Sequence, residues 1–180
     1  LVINGIGATV VSIGSNEGLD LSILKTDRRL AMPAIKLGTF GLLGAPFQTC
    51  GMQLYGNHIR SLRITGRLGE QNVLMSRWQA ERIKVWSLIM SGDENLQDGF
   101  SGAPVIDIDS DICIGVINYK QGDGKKGLAI SIDELEKILP TGKLNLIERP
   151  RALDPNNTYM DILFREATHF QIMGDLGRAL

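Results

Sequence analysis

Gly99-Phe100-Ser101-Gly102-Ala103-Pro104-Val105 sets a serine between two glycines and runs straight into an apolar stretch. A serine nucleophile needs a fixed position, a base to take its proton, and donors aimed at the oxygen that turns negative in the tetrahedral intermediate. This run supplies the first and the third. Gly99 permits a backbone turn that points its own N–H and that of Ser101 into one pocket, and Gly102 leaves room for substrate beside the hydroxyl. Ala103-Pro104-Val105 then opens a strand that makes the position rigid. Taken alone, the run is equally compatible with an ordinary β-turn.

Working outward, the chain has 180 residues, enough for one sizeable domain, or for one domain plus fragments of its neighbours. A formal net charge of −1 gives no reason to expect nucleic acid, a membrane surface or a polyionic substrate. The two cysteines, Cys50 and Cys113, lie far apart without ligand-like spacing, so free thiols are expected rather than a disulfide framework or a metal site. No apolar run approaches the roughly 20 residues that span a bilayer, and no signal-peptide pattern opens the chain, so a cytoplasmic setting is expected.

The rest of the main body reads as short strands. Ala8–Ile13 is β-branched and bounded by glycines, and Leu21–Leu24 follows a Gly-Ser-Asn-Glu-Gly turn. Pro33–Pro46 reads as a connection between two modules. Further β-like runs are Phe47–Tyr55, Ser61–Leu68, Asn72–Trp78, Ile83–Met90, Ala103–Ile108, Ile112–Lys120 and Leu128–Ile132. Turn signals between runs of this length mark an all-β sandwich or barrel. Ser131 or Asp133 caps a short helix carrying Leu135, Ile138 and Leu139, stopped by Pro140. A second helical period covers Tyr159–Ala167, behind a polar Asp-Pro-Asn-Asn-Thr linker.

With these strands around it, Gly99–Val105 resembles the active-site serine motif of the trypsin-like (chymotrypsin-fold) peptidases of bacterial and intracellular type. Phe100 and Ala103 stand where the digestive enzymes have Asp and Gly. Leu19-Asp20-Leu21-Ser22-Ile23-Leu24-Lys25 resembles the segment that carries the triad aspartate, so Asp20 is expected to orient a histidine and stabilise its imidazolium. Ile114–Tyr119 resembles the strand whose end pairs with the substrate backbone, which makes Asn118 and Tyr119 binding positions. Lys126–Ile130 resembles the strand that walls the specificity pocket, with Gly127 on that wall. Counting back six residues from Ser101, as the family does for the pocket base, lands on Asn95, with Asp93, Glu94 and Asp98 nearby. A neutral Asn leaves the residue specificity open, although the flanking acids could favour a basic side chain.

The resemblance covers about Gly7 to Leu139. It implies a chymotrypsin-like double antiparallel β-barrel, all-β with a short C-terminal helix, the first barrel being incomplete. The expected division is 1–40 for the remainder of the first barrel, 41–140 for the second barrel with its helix, and 141–180 for a linker and the start of a neighbouring helical element. It implies a serine endopeptidase working through an acyl-enzyme on a polypeptide substrate, as a regulated effector part of a larger protein with regulatory domains or subunits. No cofactor or metal is implied.

The family's base is a histidine that precedes the aspartate, and nothing before Asp20 is His. His58 reads as a surface-loop residue early in the second barrel, and His169 falls in the tail helix. Three explanations compete: a histidine upstream of Leu1, a pseudoenzyme that lost its base, or a histidine from elsewhere. The first is expected, because a serine kept with its oxyanion loop is most simply explained by acyl transfer. The alternative is a catalytically inactive trypsin-like module serving protein–protein interaction. An α/β-hydrolase elbow is excluded, since Ala103 fills its fifth position and no helix follows the serine. Trp78 and Trp86, with Val85, Leu88, Ile89 and Met90, form either an exposed docking patch or, more commonly for such residues, barrel core.

Overall fold

The computed structural model describes residues 1–3, 5–15, 18–39, 41–75, 81–140, 144 and 146. The expected tail helix, with His169, and Trp78 lie outside them.

The β-branched stretches fold as read, in two sheets. β1 (Val2–Ile3), β2 (Ile6–Ile13) and β3 (Ser22–Thr26) form an antiparallel three-stranded sheet in that order. The second sheet contains β4 (Lys36–Leu37), β5 (Pro46–Tyr55), β6 (His58–Met75), β7 (Arg82–Met90), β8 (Pro104–Asp107), β9 (Ile112–Gln121) and β10 (Lys126–Ser131). Its order is β10-β7-β6-β5-β8-β9-β4, and β10 also pairs with β9. That extra pairing closes β5 to β10 into a six-stranded barrel. The short β4 lies parallel to β9 (Lys36↔Ile112), outside the closed ring.

Two details differ from the reading of the sequence. Ser61–Leu68 and Asn72–Trp78 read as separate runs, yet β6 continues unbroken from His58 to Met75, with a register shift between Leu68 and Gln71. Gly69 serves a bulge, since a β-carbon there would fall 2.8 Å from Ser87 Cβ. The expected helix is a 3-10 segment, Ile132–Lys137, entered at Ser131 without a side-chain cap. The Ser131 hydroxyl accepts from Gln71 Nε2 instead, at 3.4 Å.

The barrel interior is filled by Phe47, Ile64, Leu68, Trp86, Leu88, Leu96, Phe100, Val105, Ile114, Ile117 and Ala129. Trp86, Val85, Leu88 and Met90 are therefore core, whereas Ile89 is exposed. A second cluster joins Leu19, from the segment after β2, to Ile83, Val85 and Ile130 of the barrel wall. This contact matters for the site, because the residue after Leu19 is Asp20.

Candidate active site

Ser101 sits in the connection between β7 and β8, exposed, with buried Phe100 before it and buried Ala103 and Val105 after it. Phe100 is 1% exposed and Val105 is fully buried, so burial on both sides holds the serine in place. The Phe100 ring lies flat against Gly51 of β5, where a β-carbon would come within 2.6 Å of Phe100 Cγ. β5 grips the preceding residue as well. Met52 N–H donates to Gly99 C=O at 3.0 Å, and Gly99 has φ +96° with its Cα turned toward the Met52 carbonyl. Any side chain at Gly99 would meet that oxygen at 1.8 Å. Gly102 (φ +83°) is required by its backbone conformation alone, since nothing lies within 4 Å of the β-carbon position.

The amides of this loop fall into two sets. Phe100 N–H donates to Gln97 C=O (3.3 Å), Gly102 N–H to Ile117 C=O (2.8 Å) and Ala103 N–H to Phe100 C=O (2.9 Å). Among the described residues, the N–H groups of Gly99 and Ser101 donate to no carbonyl. Two free amides on either side of a pinned peptide are what an oxyanion needs: donors fixed in advance and not spent on another acceptor.

Asp20 is placed by its neighbour. Leu19 is fully buried against Ile83, Val85 and Ile130, and the Gly14 N–H→O=C Leu21 bond (2.8 Å) ties the segment's far side to the end of β2. The Asp20 side chain is exposed, and no hydrogen bond joins it to Ser101 among the described residues. His58 is the first residue of β6, paired with Tyr55 across the hairpin and exposed, as expected for a surface histidine.

The expected binding positions lie along β9 and β10. β8 pairs with β9 from Asp107↔Ile112 to Pro104↔Val116, and two further bonds continue to Ile117 (Gly102 N–H→O=C Ile117, 2.8 Å; Ile117 N–H→O=C Ala103, 2.9 Å). Beyond Ile117 that side of β9 has no strand partner among the described residues. Asn118, half-buried, and Tyr119, exposed, begin this open edge. Lys120 follows, and its ammonium reaches Asp98 at 2.7 Å, linking the edge to the residue before Gly99. The hydrogen bond from Lys120, and then its charge, hold the Asp98 carboxyl below the usual range. Asn95 is half-buried, with Oδ1 buried and unpartnered among the described residues.

Gly127 is buried on β10, but it does not face an open pocket. A β-carbon there would lie 2.3 Å from Leu96 Cδ1 and 2.9 Å from the Tyr119 carbonyl. Leu96, Gly51 and Lys120 were not singled out from the sequence. Gly51 carried a signal, because an isolated glycine within a strand marks close approach of another chain segment. Leu96 carried none beyond its apolarity.

No protein-family model and no curated protein matches the chain. Solved structures do. The Rv3671c protease of M. tuberculosis, as a serine-to-alanine mutant in its inactive form, superposes with TM-score 0.57 at 21% identity, covering 73% of this chain, which spans 62% of that one. Another structure of the inactive form gives 0.57 at 19% identity over 77% of this chain and 68% of that one. The active form gives 0.57 at 16% identity over 84% and 64%. Likeness at this level of identity establishes architecture, and the chain has the chymotrypsin-like β-barrel fold of these proteases.

Proposed function

We propose that this chain belongs to a serine endopeptidase in which Ser101 is the nucleophile. The Ser101 hydroxyl attacks the scissile carbonyl, passing its proton to a base, and the carbonyl oxygen becomes an anion received by the Gly99 and Ser101 N–H groups. Collapse of the tetrahedral intermediate expels the amine with that proton and leaves an acyl-enzyme, which water hydrolyses by the reverse proton route. Asp20, anchored through Leu19, is the group that orients the base. The proton acceptor is the one member of the site that the described residues do not supply. The peptide substrate adds to the open edge of β9 from Asn118 onward, an extended strand joining a sheet edge.

The observation that carries this reading is the pair of free amides at Gly99 and Ser101 on either side of Phe100, where the N–H groups of Phe100, Gly102 and Ala103 are bonded. A regulated effector role, polypeptide partners that include attached regulatory domains or subunits, the division at 1–40, 41–140 and 141–180, and a cytoplasmic setting belong to the same proposal. A catalytically inactive module for protein–protein interaction is the second reading. It is favoured by the lack, among the described residues, of a histidine bonded to Ser101.

A fluorophosphonate probe on the full-length protein separates the two. Labelling that disappears in Ser101→Ala, and slows by orders of magnitude in Asp20→Asn, supports the peptidase. An unlabelled wild-type protein supports the module.

A further inference from the structure

Resting on the reading of Ser101 as nucleophile, we infer that the residue preceding the scissile bond is a small aliphatic one, of alanine or valine size, and that Leu96 sets this limit. A peptide paired with the open edge of β9 and presenting its carbonyl to Ser101 directs the preceding side chain between two walls. One is the segment Asn95–Asp98 leading to Gly99, and the other is β9 and β10 around Tyr119 and Gly127. Leu96 projects from the first wall onto the second and fills the space between them.

Its Cδ1 occupies the position beside Gly127, and the side chain is only 2% exposed within the barrel core. The backbone keeps it there. Leu96 N–H donates to Gly124 C=O at 2.8 Å, and a β-carbon on Gly124 would meet the Leu96 carbonyl at 2.1 Å, so the two segments cannot part without losing packing on both sides. An arginine or an aromatic ring has nowhere to go unless Leu96 leaves the core.

Charge leads to the same conclusion. Of the three acids beside Asn95, Glu94 and Asp98 each already face a donor, and Asp93 is exposed on the turn that follows β7. Glu94 Oε2 accepts from the Thr65 N–H at 2.8 Å, and Asp98 pairs with Lys120. Lys125 adds a positive charge beside Glu94, its ammonium donating to the Gly92 carbonyl at 2.7 Å and to the Glu94 carbonyl at 3.4 Å. Asn95 Oδ1, buried and without a partner among the described residues, is neutral. A site of this kind selects on size, and a methylene too many in an apolar pocket typically costs about 10- to 200-fold.

The test uses the full-length protein and peptidyl diphenyl phosphonates identical except at the last residue (Ala, Val, Phe or Arg). Modification of Ser101 is followed by mass spectrometry, with a fluorophosphonate lacking a peptide as reference. The Ala and Val probes are expected to react at least about tenfold faster than Phe and Arg. Leu96→Ala is expected to raise the Phe rate relative to Ala, and Leu96→Val, which disturbs the core less, to give a smaller shift in the same direction. Fluorophosphonate labelling together with an Arg or Phe probe as fast as Ala overturns this inference and leaves the nucleophile intact. Unchanged selectivity in both folded variants also overturns it. Absence of all labelling overturns it together with the reading on which it rests.

Discussion

Gly51 of β5 and Phe100 of the serine loop are in face contact: a β-carbon on Gly51 would lie 2.6 Å from Phe100 Cγ and 2.7 Å from both Cδ atoms. Burial of this aromatic ring anchors the loop that carries Ser101. The anchor carries no charge and is insensitive to pH. Because Gly51 and Met52 are consecutive, the strand that seats the ring also holds the Gly99 carbonyl.

This contact predicts that Gly51→Ala displaces the ring and destabilises the fold by about 1–3 kcal/mol, the cost of overpacking a filled core. Phe100→Ala costs about 3–5 kcal/mol through the cavity left behind. Combining Gly51→Ala with Phe100→Leu should recover part of the first loss, because the two sites share one volume. Urea denaturation of the single and double variants measures this, and strictly additive losses would show that the two residues do not act as a pair.

Gly99→Ala is expected to affect the chemistry more than the fold. The residue must keep φ +96° and also clear the Met52 carbonyl, so the loop shifts and takes the Gly99 N–H with it. Loss of one oxyanion donor lowers turnover by about 10²- to 10³-fold. Fluorophosphonate labelling at the wild-type rate in a folded Gly99→Ala protein would contradict the assignment of that amide.

Lys84 of β7 and Asp133 of the 3-10 helix form an ion pair at 2.6 Å. Burial pushes the Asp133 carboxyl up, but hydrogen bonds from Lys84 and Ser131 and the Lys84 charge outweigh it, leaving it below its ordinary 3.8. The bond to Asp133 and the neighbouring acids raise Lys84 above 10.5, against a smaller effect of burial. A carboxylate with a lowered folded-state value stabilises the fold above its unfolded value, and that stability is lost as pH falls through the folded one. The lysine's contribution is present below 10.5 and lost as pH rises through its raised value. Lys84→Met should therefore cost about 0.2–1 kcal/mol at pH 7, since the pair is partly exposed, and less below about pH 3.8. Denaturation midpoints across this range test it, and a gap that widens on acidification would reverse the sign.

The two thiols should differ in reactivity. Cys113 is 3% exposed, and burial pushes its pKa up despite backbone hydrogen bonds with Gly115 and Val105. Cys50 is exposed on β5, 3.1 Å from the Ser61 hydroxyl. A thiol reagent at pH 8 is expected to modify Cys50 in the native protein and Cys113 only after unfolding. Peptide mapping that finds Cys113 modified first would show that the barrel opens around β9.

Much of this protein was legible in its sequence because the deciding signals are local. The glycines flanking Ser101, the Leu-Asp-Leu step at Asp20 and the β-branched runs of β2, β7 and β9 each follow from the needs of a single strand or turn. The merging of two strands into β6 was not legible, because Gly69 reads alike in a turn and in a bulge until the partner strand is known. The sequence by itself also could not show that Leu96 rather than open space faces Gly127, that Phe100 rests on Gly51, or that Lys120 neutralises Asp98. Those pairs are separated by 31, 49 and 22 positions, and only the pairing of β5 with β8, of β8 with β9 and of β9 with β10 brings them together. Local chemistry thus determined which residues flank the candidate nucleophile. Tertiary packing decided how the loop is held and how much room lies beside it, because volume and charge partners belong to the folded neighbourhood.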